Sequence, residues 1–235
     1  MTAAEGEGKS TREKIMDVAA EVFGRRGFKA ATIREICRRA DVNVASVNYY
    51  FQGKEGLYRE VARNLIATTF ARYPVSVEAE SGNPPEQRLR TFVSAVFHRL
   101  LAPGGLSGYP GKGQLVAREL ADPSPILDSI VEDFIRPTAR DLSGIIMLLL
   151  GPAASERDVI KCQISVIGQC FHYALARPIL TRLTRLELSD EDILDELAEH
   201  VTRFSLAGIA GIREEIGIRI KPTRIKREKT KKGRK

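Results

Sequence analysis

The sequence predicts an all-α protein, with an N-terminal three-helix unit of helix-turn-helix type followed by a larger helical domain. Three observations predict it. Apolar residues recur at i, i+3, i+4 and i+7 in successive segments, the period of a helix with one buried face. Beyond Phe51 no stretch shows the alternation of a half-buried strand. Between Thr32 and Phe51, two short helical patterns are split by a tight turn, and the second is small and polar on one side and ends in paired tyrosines.

Residues 1–9 are small and charged and read as a disordered leader without signal-peptide character. The helix-turn-helix unit is assigned to 10–56. Ser10 and Glu13 form a capping box, and Ile15, Val18, Ala19, Val22 and Phe23 line one face of the helix that follows. Gly27 supplies the left-handed residue that ends it, with Arg25 and Arg26 in the last turn and Phe28 closing the small core. Thr32 and Glu35 form a second capping box, which starts the next helix at Ile33. There Ile33, Ile36, Cys37 and Ala40 share a face, while Arg34, Arg38 and Arg39 project elsewhere. Asp41 and Val42 make the turn, and Asn43 is the N-cap of the third helix.

From Val44 to Tyr50 the inward residue is Val47, with Val42 and Phe51 at either end, leaving Ala45, Ser46, Asn48 and Tyr49 outward. That set suits entry into the major groove of DNA. Alanine lets a backbone come close, Asn48 can pair bidentately with adenine, and Ser46 can bond to bases of either kind. Tyr49 offers a hydroxyl to phosphate oxygens, which fix register without reading sequence. Tyr50 stands open between core and contact. Lys54, at the start of the next helix, adds charge where backbone N–H groups face a phosphate.

Residues Ser10 to Val61 resemble the N-terminal domain of the tetracycline-repressor (TetR) family of bacterial transcriptional regulators. The matching elements are F-x-x-x-G-F, T-I-R-E-I, A-D-V-N-V-A-S-V-N-Y-Y-F and K-E-G-L-Y. The resemblance implies phosphate or base contacts from Thr32, Arg34, Val44, Ala45, Ser46, Asn48, Tyr49, Tyr50 and Lys54. Three positions depart from the pattern: Asp41 stands where glycine is usual, Ala45 where glycine is frequent, and Asn48 where tyrosine is common. The last two imply a distinct operator sequence.

Residues 57–218 are assigned to the regulatory and dimerisation domain. Leu57 to Tyr73 is a linking helix, and S-G-N-P-P marks the strongest break. Glu86 to Leu101 is helical, Ala102 to Gly113 is a flexible loop, and Gln114 to Ala121 is a short helix. Ile126 to Leu150 is a long helix interrupted at Pro137, which removes a backbone donor. Ser155 with Asp158 starts a helix that runs towards Arg177 before Pro178, and Ser189 starts the last one.

The final two helices read as an assembly surface. Val159, Ile164, Val166, Ile167, Phe171, Ala174 and Leu175 give the first an apolar face. Ile193, Leu194, Leu197, Val201, Phe204 and Ile212 do so for the second, where Ala207, Gly208, Ala210 and Gly211 permit close approach. A homodimer also follows from recognition, because one short helix reads few base pairs whereas a two-fold pair reads a palindrome. TetR-like proteins dimerise through their last two large helices. The resemblance further implies a small-molecule pocket among the middle helices, for which Phe97, His98, Gln114, Arg118, Gln163, Phe171 and His172 are candidates. R-E-L-A-D-P-S-P, with I-R-P further on, is similar to the CecR-type subgroup of the family.

Charge is unevenly placed. The chain is +7 overall, yet Arg219 to Lys235 holds ten Lys or Arg and one Glu, or +9, which leaves −2 for the rest. Ser10 to Glu55 holds nine basic and six acidic residues, only +3. The 219–235 tail reads as disordered, with phosphate contact and plain solvation both open. Cys37, Cys162 and Cys170 form neither a C-x-x-C pair nor a zinc spacing, and read as buried reduced thiols. The longest apolar run, Ile145 to Leu150, is far too short for a bilayer, so a soluble cytoplasmic protein is expected. No nucleophile elbow, phosphate-binding loop or H-E-x-x-H motif is present, and neither an enzyme, a cofactor nor a metal is expected. The expected function is a homodimeric repressor released from a palindromic operator by a small molecule. The alternative is a DNA-binding or architectural protein that senses nothing.

Overall fold

The computed structural model describes residues 9–75, 82–106, 115, 119 and 122–232, with side chains as far as 218. Among these residues the chain is helical and contains no strand. It forms two compact units, Met1–Arg72 with Arg99–Ile135, and Tyr73–His98 with Arg136–Lys235. Residues 1–8 of the leader and most of the 107–121 stretch, Gln114 and Arg118 included, lie outside the described residues.

The first unit is built on α1 (Thr11–Ala30), α2 (Ile33–Ala40), α3 (Val44–Phe51) and α4 (Lys54–Arg72). Helix α1 starts in the Ser10–Glu13 capping box and kinks at Gly27, whose φ of 73° a β-carbon would strain. Its inward face, Ile15, Ala19, Val22 and Phe23, packs on Ile36 of α2, Val47 of α3 and Leu57, Tyr58 and Ala62 of α4, all buried. The Phe23 and Phe28 rings flank Tyr58 at 4.8 and 5.0 Å. The second cap is one-sided: Thr32 Oγ1 accepts from the Glu35 N–H at 3.2 Å. The Glu35 carboxylate, instead of returning to the Thr32 N–H, meets Arg26 at 3.1 Å, because an ion pair reaching back to α1 is within its range. Arg39 and Glu21 add a second α1–α2 bridge at 2.7 Å.

Residues 99–135 join this unit. Leu115 and Glu119 are helical and buried. The Tyr58 hydroxyl donates to Glu119 at 2.5 Å, and Ser124 donates to the same carboxylate through its N–H and hydroxyl. Lys29 and Asp122 pair at 2.6 Å, and the Arg99 guanidinium lies over the Phe70 ring at 3.8 Å. Chain order alone gives no sign that these residues pack with the helix-turn-helix.

The expected break before Pro137 is a single π-helical turn, Val131–Ile135, between α6 (Leu127–Ile130) and α7 (Arg136–Leu150). A proline that cannot donate is accommodated where the helix has already widened to i→i+5 bonding.

The second unit contains α5 (Pro85–Leu101) up to His98, α7, α8 (Glu156–Leu175), α9 (Arg177–Thr184) and α10 (Glu191–Lys232). Helices α7, α8 and α10 pack mutually over Leu142, Ile146, Val159, Cys162, Val166, Leu194, Val201 and Ile209. The Ser155–Asp158 capping box begins α8. Helix α8 ends at Leu175, before Pro178, as the sequence predicts; Pro178 sits in the first turn of α9, where its missing N–H would be orphaned anyway. Two sequence expectations are corrected in this unit. Asp190, not Ser189, caps the last helix, accepting from the N–H groups of Asp192 and Ile193. The basic run read as disordered continues α10 to Lys232, with Pro222, which cannot donate, inside it.

Candidate nucleic-acid interface

Helix α3 is positioned by apolar anchors at its middle and end, Val47 and Phe51, and by Asn43, whose side chain accepts from the Ala45 N–H at 2.8 Å. The anchors turn the opposite face to solvent. Val44, Ala45, Asn48, Tyr49 and Tyr50 are exposed and Ser46 is half-buried. Tyr49 is 81% exposed, a large aromatic that nothing in the unit covers. Tyr50, left open by the sequence, is 43% exposed, and its ring stands edge-on to Tyr49 at 4.9 Å. Helix α4 follows closely; a β-carbon on Gly56 would collide with the Phe51 carbonyl oxygen, so the α3–α4 corner depends on glycine there. Lys54 opens α4, its ammonium over the Phe28 ring at 4.7 Å and donating to the Lys29 carbonyl at 3.2 Å. Two of its three donors remain. Thr32 and Arg34 are exposed at the start of α2. The nine residues are therefore drawn from three successive helix starts and one outward face.

Comparison with known proteins agrees with this arrangement. Residues 15–61 match the profile of bacterial regulatory proteins of the tetR family. Residues 85–209 match the C-terminal domain of the HTH-type transcriptional dual regulator CecR. The HTH-type transcriptional repressor NicS of Pseudomonas putida is 31% identical over 205 residues, covering 85% of this chain and 92% of NicS. The chain belongs to the TetR family of transcriptional regulators. The probable HTH-type transcriptional regulator YttP of Bacillus subtilis is 38% identical over 74 residues, so the chain spans only 34% of that relative. In fold, the chain is similar to the transcriptional regulator FadR of Bacillus subtilis crystallised with stearoyl-CoA (TM-score 0.61, 17% identity, covering 83% of this chain and 98% of FadR).

In this TetR-family chain the candidate effector residues scatter more than the recognition residues do. Phe97 is fully buried and its ring meets Tyr173 at 5.5 Å. The Nδ1 of His98 lies 2.9 Å from the Ser94 carbonyl, so Nδ1–H donates and Nε2 is left towards Asp195, 3.9 Å away. Gln163 ties α8 to α7, accepting from the Ser143 hydroxyl and donating to the Ala139 carbonyl, both at 3.0 Å. Phe171 is half-buried and His172 exposed.

The assembly residues divide as well. Val159 and Val201 are 4% and 1% exposed within one chain. They are corrected from outer surface to inner core, because they share the stripe of Cys162, Val166 and Cys170 on α8 and of Leu194, Ala198 and Ile209 on α10. Ile164 and Phe204 are 67% and 64% exposed, and Gly208, four residues after Phe204 on α10, is exposed. Ile167, Ile193 and Leu197 are half-buried. Sequence reading missed Ile160, Ile179, Leu183 and Ile218, all exposed. The spacing of Ile160 from Ile164, and of Ile179 from Leu183, was the available signal.

All three thiols are buried. Burial pushes each above its ordinary value, Cys170 up to about 12. They are poor nucleophiles in the folded chain. No helix among the described residues is long and apolar enough to cross a membrane.

Proposed function

We propose that the protein is a cytoplasmic, non-enzymatic, homodimeric repressor that binds a palindromic operator through paired α3 helices and leaves it when a small molecule binds the regulatory domain at 57–218. The observation carrying this reading is the outward face of α3, a small, uncharged surface with two exposed tyrosines held by a fully buried Val47. Its size suits close approach to base edges. The exposed apolar residues of α8 and α10, Ile164 and Phe204 foremost, support a second copy as the partner, since solvent is a poor neighbour for them. A ligand favouring dimers whose α3 helices are wrongly spaced would lower operator affinity by its differential affinity for the two states. Phe97, His98, Gln163, Phe171 and His172 are the proposed starting set for that ligand. Sequences selected from random duplexes provide the operator. Asn48→Ala is expected to relax base preference, and Tyr49→Ala to weaken selected and random duplexes alike. Equal losses on both duplexes for both variants would refute the division of roles.

A further inference from the structure

The helix-turn-helix unit just described carries a modest net charge, +3 over Ser10 to Glu55. Of the nine cations between Ser10 and Glu55, Arg12, Arg26, Lys29 and Arg39 are ion-paired to Glu60, Glu35, Asp122 and Glu21. Helix α3 carries no charged residue at all. Sequence-independent affinity for DNA nevertheless comes from neutralising phosphates. The concentrated positive charge of this chain lies instead at the other end, +9 over 219–235 against −2 for everything before it.

That charge is carried on a rod. Helix α10 passes from its packed part, where Ile216 is buried, to Lys232 as one helix. The 14 residues from 219 to 232 rise about 21 Å at 1.5 Å each. Phosphates on one strand of B-DNA recur about every 3.4 Å, so such a rod spans roughly six of them. Ile220 and Ile225 are the sole large apolar residues in the tail. An interfacial membrane helix needs a continuous apolar face, which disfavours a lipid surface and favours a hydrophilic polyanion.

We infer that the extension of α10 beyond Ile218 is a sequence-independent clamp for the DNA phosphate backbone, adding to the modest charge of the helix-turn-helix unit. The inference rests on the DNA-binding reading, and its test separates the two. The full chain is compared with a variant in which the ten Lys and Arg of 219–235 are replaced by Gln, using a 30-base-pair random duplex. The slope of log affinity against log salt is the readout, and circular dichroism confirms folding. Six phosphates per tail at about 0.9 ions each, with two tails in the dimer, predict a slope shallower by about 11, with unchanged preference for selected over random duplex. A chain ending at Ile218 gives the same readout if the Gln variant does not fold. A slope change below 1 overturns the clamp. So does tighter tail-dependent binding to single-stranded RNA or to phosphatidylserine vesicles than to the duplex. Loss of the slope in the tail variant together with unaltered operator preference in Asn48→Ala would leave the clamp standing and defeat the recognition-helix reading instead.

Discussion

Replacing Asp41 by glycine is expected to stabilise the protein, and the size of the gain can be worked from the turn. Asp41 ends α2 at φ 54°, ψ 52°, a left-handed conformation that costs an L-residue roughly 1–2 kcal/mol, with Asp near the low end because its side chain is short. Its charge also lies at the negative end of the helix dipole, a further cost of about 0.3–1 kcal/mol. Glycine removes both, but its greater freedom in the unfolded chain takes back about 0.4–1 kcal/mol. The balance is a gain of about 1 kcal/mol, or about 2–4 °C in Tm for a chain of this length. Asp41→Asn separates the contributions, since asparagine tolerates the same backbone without the charge, and about half the gain is expected. Asp41→Val, β-branched in a left-handed position, is expected to lose stability. The assay is urea unfolding with the m-value held as a control, beside thermal melting. If Asp41→Gly melts below the parent chain, or valine matches glycine, the turn is not the source of strain and the reasoning fails.

Phe204→Glu leaves the core untouched, because the ring is mostly exposed, and is expected to yield a folded monomer in sedimentation velocity; a dimer of unchanged strength would place the interface elsewhere. Tyr58→Phe removes the donor to the buried Glu119 carboxyl and should cost about 1.5–3 kcal/mol in urea unfolding, the range for a hydrogen bond to a charged or stranded buried group; a cost under about 0.5 kcal/mol by the same measure would deny that bond a structural role. With Cys170 pushed up to about 12, its thiol stays neutral at pH 8 and should resist a thiol reagent until the chain unfolds, whereas rapid labelling of the native protein would contradict its burial. The linked stability runs in one direction. The unfolded thiol ionises near its ordinary value and the folded one does not, so its contribution is full below that value and is lost as pH rises from there to about 12.

Much of the first unit was legible because each local signal had one physical solution. Ser10, Thr32 and Asn43 can each satisfy an orphan N–H, and Val47 and Phe51 are the residues of α3 able to bury against α1 and α4, which fixes the outward set by exclusion. What was not legible depended on distance in space. The Glu119 carboxyl reaches Tyr58 across sixty-one positions, and no periodicity encodes such a pairing. Helix α9 was not legible for a different reason: a proline that marks the end of one helix is equally suited to the first turn of the next, and only the following Ile179–Leu183 spacing announces it. Val159 and Val201 erred because both faces of α8 and α10 are apolar, so composition could not say which stripe turns inward. The division at 56/57 follows chain order, whereas packing groups residues 99–135 with the recognition helices.

The distribution of charge has a consequence for how specificity and affinity separate in this chain. Because Val44–Phe51 is uncharged, whatever α3 discriminates it discriminates by shape, by hydrogen bonds from Ser46 and Asn48, and by apolar contact. None of these releases counterions, so substitutions at Ser46 and Asn48 should move base preference at constant salt slope. Cations at 219–235 hold the reverse position: phosphates are alike along any duplex, so neutralising them should move the slope at constant preference. A single basic recognition helix would couple the two properties, and every change in affinity would carry a change in salt response. Here they lie at opposite ends of the sequence, about 170 residues apart, and an operator could therefore be re-specified through α3 without retuning how strongly the protein holds DNA in general.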